Sequence, residues 1–266
     1  MTAGWREVGD RVFVRRHREL DLNCGLVVGD GGCLVVDTRC HLGEGRALAE
    51  AVRAVTPHPW TVVNTHAHFD HCFGNAAFRP ADIWGHRRCA DELEATGEHQ
   101  RASVVTGLRE DGDPAAELVA TAPIDPPDHL VDDLARLDVG GRTVTLRHLG
   151  RGHTGADLVV AVDDVLFAGD LVEDGAPPAM EDAYPLEWAQ TVTALLELVR
   201  GPVVPGHGGV VDAAFVTAQR DELAQLATWL TDPGAPPAFD EATRRTARSR
   251  SWTSLRPGAC DEIRGA

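Results

Sequence analysis

The sequence predicts a single α/β domain, on three observations. Strand, helix and strand patterns alternate from residue 11 to residue 64, and a second group of strands with antiparallel character runs from 142 to 168. The chain has 266 residues, a length at which α/β folds often close around one core. The core is expected over about 10–230, with an insertion or lid over 97–130 and a C-terminal tail over about 232–266.

The first strands are residues 11–15 (RVFVR), 25–28 and 33–38, the last two joined by Asp30-Gly31-Gly32, a hairpin signal. Leu48, Ala51, Val52 and Val55 recur at helical spacing over 44–55, and Pro57 and Pro59 stop that run before a strand at 61–64. A short helix over 70–77, a strand at 83–84 and a helix over 87–95 follow. Residues 97–130 carry Gly97, Gly107, Gly112, Pro114, Pro123, Pro126 and Pro127 with little periodicity, which predicts an irregular surface segment. Strands resume at 142–147, 158–162 and 165–168. Pro185 suits a first helical turn, and Val192, Leu195, Leu196 and Val199 give the next helix one apolar face. A strand at 203–204 precedes a last helix over 213–230, which Pro233, Pro236 and Pro237 end. The tail from about Phe239 is either disordered or a helix used in self-association to a homo-oligomer, and the pattern leaves both open.

Composition narrows the function. No run of eighteen apolar residues exists and the first ten residues lack the order of a secretory signal, so a soluble cytoplasmic protein without a membrane partner is expected. Cys24, Cys33, Cys40, Cys72, Cys89 and Cys260 form no C-x-x-C pair, and reduced, mostly buried thiols are expected. A net charge of −16 repels phosphate backbones, and the one basic run, Arg244, Arg245, Arg248 and Arg250, reads as a solvated helix face, so no nucleic-acid partner is expected. All 25 basic residues are arginine, which excludes a lysine nucleophile, a Schiff base or a lysine anchor for a carboxylate.

The chemistry concentrates in Thr65-His66-Ala67-His68-Phe69-Asp70-His71, directly after an apolar strand. A lone histidine is usually structural, but four ligand-type side chains in six positions are not a chance pattern. If the strand stays extended through His68, its period of two puts His66 and His68 on one side. A turn into the next helix then aims Asp70 and His71 at a second site. Three further candidates sit where strands meet loops: His153 in Gly150-Arg151-Gly152-His153-Thr154, Asp170 in Phe167-Ala168-Gly169-Asp170, and His207 in Val204-Pro205-Gly206-His207-Gly208.

These motifs, in this order, resemble the metal-binding set of the metallo-β-lactamase superfamily, and no ligand position is substituted. The resemblance implies a four-layer αββα sandwich and covers roughly residues 10–230. It implies one metal on His66, His68 and His153, a second on Asp70, His71 and His207, and Asp170 bridging both, with Asp37 as a structural aspartate near the site. Imidazole and carboxylate ligands without cysteine suit two Zn2+ ions, and also iron or manganese. The implied activity is hydrolysis of a small ester, thioester, lactone or lactam by a metal-bridged hydroxide, with Asp70 also orienting the water. The alternative is an iron-dependent oxidoreductase of the persulfide dioxygenase kind. Flavodiiron proteins carry a glutamate where this chain has His68, and glyoxalase II-like enzymes share this ligand set but grip glutathione with a basic C-terminal region whose residues do not map onto this chain. A nuclease fits the charge poorly, and a non-catalytic binding protein would be expected to have lost ligands.

Other candidates have plainer readings. Cys72 is expected to pack behind the ligand loop. His86 and His148 read as ordinary surface or core residues, and Asn75 as a turn or cap. Tyr184 either donates to an oxyanion or marks helix entry beside Pro185. Thr154 and Arg151 are candidates for orienting ligands, Arg151 also for an anionic substrate.

Overall fold

A computed structural model describes residues 4–254, so Cys260 and the end of the predicted tail lie outside the described residues. Two sheets are present among them. The first holds β1 (Arg6–Gly9), β2 (Val12–Arg16), β3 (Asn23–Val28), β4 (Cys33–Val36), β5 (Trp60–Val63), β6 (Ile83–His86) and β7 (His129–Val131), neighbours in that order. It is antiparallel from β1 to β4 and parallel from β4 to β7, because helix-containing crossovers replace hairpins after β4. The second sheet holds β8 (Leu134–Val139), β9 (Arg142–His148), β10 (Leu158–Val162), β11 (Val165–Glu173) and β12 (Val203–His207), with only β11 and β12 parallel.

The sheets face each other across a core in which Val14, Val27, Leu34 and Val63 meet Leu146, Leu158, Val160 and Phe167. α1 (Leu42–Arg53) covers the outer face of the first sheet through Leu48 and Val52, packed on Leu26, Val35, Val62 and Ile83. α5 (Trp188–Leu196) and α6 (Ala213–Thr231) cover the second through Trp188, Val192, Leu195, Leu223 and Leu226. Four layers, αββα, result. Each fully buried Leu or Val contributes about 1.5–3 kcal/mol, so β8 and β9, which alternate, have one inward face, while β4 and β11 are buried on both faces, between layers.

The middle of the chain departs from expectation. α2 (Phe69–Cys72) is a single turn, followed by a 3-10 turn at Asn75–Ala77. α3 runs from Arg87 to Glu110 and α4 from Ala115 to Ala120, so residues 97–120 are mainly helical rather than irregular. The apolar row Leu93, Val104, Val105 and Leu108 is interrupted by Gly97, Gln100 and Arg101, which hid its period. Gly97 serves packing, because a Cβ there would lie 3.1 Å from Ile124. The short strands β1, β7 and β8 were also missed. In the tail, α7 (Glu241–Ser254) packs Ala247 against the α5–α6 layer. Arg248 stacks on Trp229 and Arg250 Nη2 donates to the Asp182 carbonyl at 2.8 Å, so this arginine run is partly engaged within the fold. No helix of the described residues is long and apolar enough to cross a membrane.

Candidate metal centre

All seven predicted ligands converge at one end of the two sheets. β5 ends at Val63, so His66 and His68 are carried by a loop and not by an extended strand, yet their rings still meet edge to face at 4.6 Å. Asp70 and His71 lie in α2, and His153 in the loop between β9 and β10. Asp170 is inside β11, which does not end there as its motif suggested but continues to Glu173. Gly169, at φ 54°, turns the strand, and the β11–β12 register shifts at this residue. This places the Asp170 carboxylate beside Gly206, where a Cβ would lie 1.8 Å from Asp170 Oδ1. Only glycine admits that approach. His207 closes β12, as predicted.

Two groups result, His66, His68, His153 and Asp170, and Asp70, His71 and His207, with the candidate ligand atoms of each within 4.8 Å of one another. Asp170 stands between them: its Oδ2 is 3.5 Å from His153 Nε2 and 3.3 Å from His207 Nε2, and its Oδ1 is 3.2 Å from His71 Nε2. In the second group His207 Nε2 is 3.3 Å from Asp70 Oδ2, and His71 Nε2 is 3.6 Å from the same oxygen and 3.4 Å from His207 Nε2. Ligand atoms on a tetrahedron with bonds of roughly 2.1 Å are about 3.4 Å apart, so the spacing suits a metal ion.

The outward ring nitrogens identify the tautomers. His71 Nδ1 donates to Asp37 Oδ2 at 2.8 Å, His68 Nε2 to Asp182 Oδ2 at 2.9 Å, and His207 Nδ1 to the Leu20 carbonyl at 2.7 Å. Thr65 Oγ1 donates to Asp37 Oδ2 and therefore accepts from His66 Nδ1 at 3.0 Å. In these four histidines the outer nitrogens carry the protons and the inner ones present lone pairs to the centre, whereas His153 Nδ1 has no hydrogen-bond partner and His153 Nε2 lies 2.9 Å from His68 Nδ1. His66 Nε2 and Asp170 Oδ1 are buried without a hydrogen-bond partner, a costly arrangement in a protein interior that a cation would satisfy.

Electrostatics point the same way. Burial lowers the proton affinity of His207, but Asp170 and Asp70 outweigh it and push His207 up to about 11. Burial also opposes protonation of His71, and Asp170 and Asp70 again override it. His153 is brought down to about 4, chiefly by burial. Asp70 and Asp170 thus draw positive charge into the pocket, and a bound cation would displace the protons.

A cleft of about 480 Å³ opens onto this centre and includes His68, Asp70, His153, Asp170 and His207 in its lining. Gln100 and Val104, from α3, stand on one wall, so part of the 97–130 segment does border the cleft. Among residues that sequence reasoning missed, Asp182 binds His68, Leu20 holds His207 through its carbonyl, and Glu173 lies buried beside the centre, its Oε1 3.9 Å from His153 Nδ1. Glu173 is pushed up to about 8, first by burial and then by Asp170.

Several weaker candidates resolve as structure. Cys72 is buried against the His68 carbonyl, its thiol raised well above its ordinary range mainly by burial, and the five described cysteines are all free and buried. Asn75 bonds Thr38, Asn64 and the Asp125 carbonyl. Thr154 donates to Asp157 rather than to a ligand. Arg151 pairs with Glu187 and lies over the Tyr184 ring, and neither Arg151 nor Tyr184 lines the cleft. His86 caps α3 and stacks on His148 at 4.3 Å. Asp37 accepts from Thr65 N, Thr65 Oγ1 and His71 Nδ1, which makes it the structural aspartate expected.

Comparisons with known proteins agree with this geometry. A metallo-beta-lactamase from Pontibacter korlensis is 18% identical, with a TM-score of 0.64 over 83% of this chain and 98% of its own. A metallo-beta-lactamase from Pseudomonas aeruginosa, solved in a mono-zinc form, is 17% identical, with a TM-score of 0.62 over 84% and 95%. A stereoselective inverting sec-alkylsulfatase from a Pseudomonas species is 17% identical, with a TM-score of 0.74 over 98% of this chain and 52% of its own. At such identities the likeness is one of fold. No curated protein matches the chain. The sequence profile of the metallo-beta-lactamase superfamily matches residues 18–207, a span holding all seven candidate ligands, and the chain belongs to that superfamily.

Proposed function

We propose that this protein is a metal-dependent hydrolase of small carbonyl substrates: esters, thioesters, lactones or lactams. The observation that carries the reading is the set of inward-facing nitrogens of His66, His68, His71 and His207, fixed by outward hydrogen bonds, gathered with His153 around the shared carboxylate of Asp170. His66, His68 and His153 would hold one divalent ion, and Asp70, His71 and His207 a second, with Asp170 common to both. Zinc fits a nitrogen and oxygen donor set without cysteine, and iron or manganese fit it also. Ions so held supply Lewis acidity toward a carbonyl oxygen and lower the pKa of water toward neutrality.

The chain's own residues do the rest. Asp70, on the cleft side of the second group, is placed to orient a water through its carboxylate. Phe69, Val104 and Leu20 border the cleft with apolar surface and limit the water that reaches the reacting carbonyl. Asp37 and Asp182 keep His71 and His68 in the tautomers that leave their inner nitrogens free.

The test is turnover of a panel of thioesters, esters, lactones, β-lactams and a secondary alkyl sulfate, before and after metal removal with a chelator. Turnover of at least one carbonyl class is expected to vanish on stripping and return on zinc addition. Activity that survives full removal defeats the reading. Iron near one per chain in protein from its native source, with oxygen uptake on a persulfide, would instead support the dioxygenase alternative.

A further inference from the structure

We infer that the cleft selects its substrate by charge, taking a carbonyl compound that bears a cationic group ahead of a neutral one and rejecting an anionic one. The inference rests on the hydrolase reading above and deepens it.

The floor of the cleft is the His/Asp centre, so a carbonyl held there leaves the rest of its molecule along the walls. Those walls carry four carboxylates beyond the candidate ligands: Asp21, Glu173, Asp174 and Glu181. No arginine lines the cleft among the described residues, and the chain has no lysine. Arg16 pairs with Asp21 through both carboxylate oxygens, which discounts that acid. Glu173 is buried, Asp174 is half-buried with Oδ2 accepting from Gly209 N at 2.8 Å, and Glu181 is exposed at the rim.

The floor's own charge enters the balance. Two divalent ions would bring four positive charges, which Asp70, Asp170, Asp174 and Glu181 cancel, and burial favours the protonated form of Glu173, so the cleft is close to neutral overall with its negative charge on the walls. An adjoining groove of about 510 Å³ shares Glu173 and Asp174, adds Glu222 and Asp240, and also has no arginine in its lining. The net charge of −16 extends the field outward, so cations are drawn in and anions repelled before contact. That the space is a ligand site does not rest on the acids of the walls: Asp170 lines it, is more than nine-tenths buried, and its Oδ1 has no hydrogen-bond partner. Leu20, 52% exposed at φ 58°, and Phe69 add the apolar surface that the methyl groups of a quaternary ammonium would meet.

Three acetate esters of similar size test this with the zinc-loaded protein: acetylcholine, 3,3-dimethylbutyl acetate and the anionic 4-carboxybutyl acetate. The expected kcat/KM falls by roughly tenfold from cation to neutral ester and again to anion at low ionic strength, and the spread contracts in about 0.5 M salt. Glu181→Arg is expected to narrow the spread with metal content unchanged. Equal rates, or a preference for the anion, overturn the inference. Binding of choline against 3,3-dimethylbutanol, measured by calorimetry, gives a second readout that needs no turnover. If none of the esters is turned over, the hydrolase reading loses support while the charge selection is decided by binding alone: choline bound tighter supports it, and equal or reversed binding overturns it.

Discussion

His68 Nε2 lies 2.9 Å from Asp182 Oδ2, while His68 Nδ1 lies 2.9 Å from His153 Nε2. One ring therefore ties the loop before α5 to the centre, and α7 supports that loop through Arg250 and the Asp182 carbonyl. Asp182→Asn can offer its amide N–H to Nε2 and move the ring proton to Nδ1, the nitrogen needed inside. The variant is expected to fold normally by circular dichroism and to lose about 10–100-fold in affinity at the first site, read by competition with a chelator. Unchanged affinity would show that Asp182 does not position His68.

Asp37 is 2% exposed and accepts three hydrogen bonds. Asp37→Ala leaves Thr65 N, Thr65 Oγ1 and His71 Nδ1 without their acceptor, and a loss of about 2–5 kcal/mol of stability is expected in urea unfolding of the metal-free protein. A loss below about 0.5 kcal/mol would mean that these groups find other partners.

The two groups should fail separately. His207→Ala is expected to leave the site of His66, His68 and His153 loaded while the second loses affinity, and His153→Ala to do the reverse; Asp170→Ala should weaken both. Metal titration with a visible cobalt spectrum distinguishes the cases. Equal loss at both sites in His207→Ala would contradict the division of ligands.

Specificity should respond to α3. Replacing residues 97–130 by a short linker would remove Val105, Val119 and Ala122 from a buried cluster, so the fold would suffer with the site. Point variants are the sound test: Gln100→Ala and Val104→Ala are expected to keep metal content while changing kcat/KM by about 3–30-fold, unequally across substrates. A uniform or absent change would remove this wall from substrate choice.

The ligands were legible because their signal is local. Four sit within one motif after a strand, and the other three stand beside glycines, His153 in a loop and Asp170 and His207 in strands, where their residue types show without contacts. Asp37 was visible through the same resemblance. Asp182 and Leu20 were not, since each acts across a long separation: 114 residues from Asp182 to His68, and 187 from Leu20 to His207. Nothing in Glu181-Asp182-Ala183 distinguishes an aspartate bonded to a histidine from a solvated one. The sandwich was legible where burial imposes alternation, as in β9, or a continuous apolar run, as in β10. It was not in α3, where Gly97 packs against Ile124 and breaks the apolar row that would have announced 24 helical residues.

Metal content and turnover measured on one sample test the account most directly. Zinc-replete protein should hold about two ions per chain, since the donor set exceeds what one tetrahedral ion can use. Stripping should abolish hydrolysis of the carbonyl class that the protein turns over, and restoring zinc should return it in proportion to occupancy. Hydrolysis at full rate with no metal bound, or zinc-replete protein that binds no ion with all seven residues intact, would contradict it.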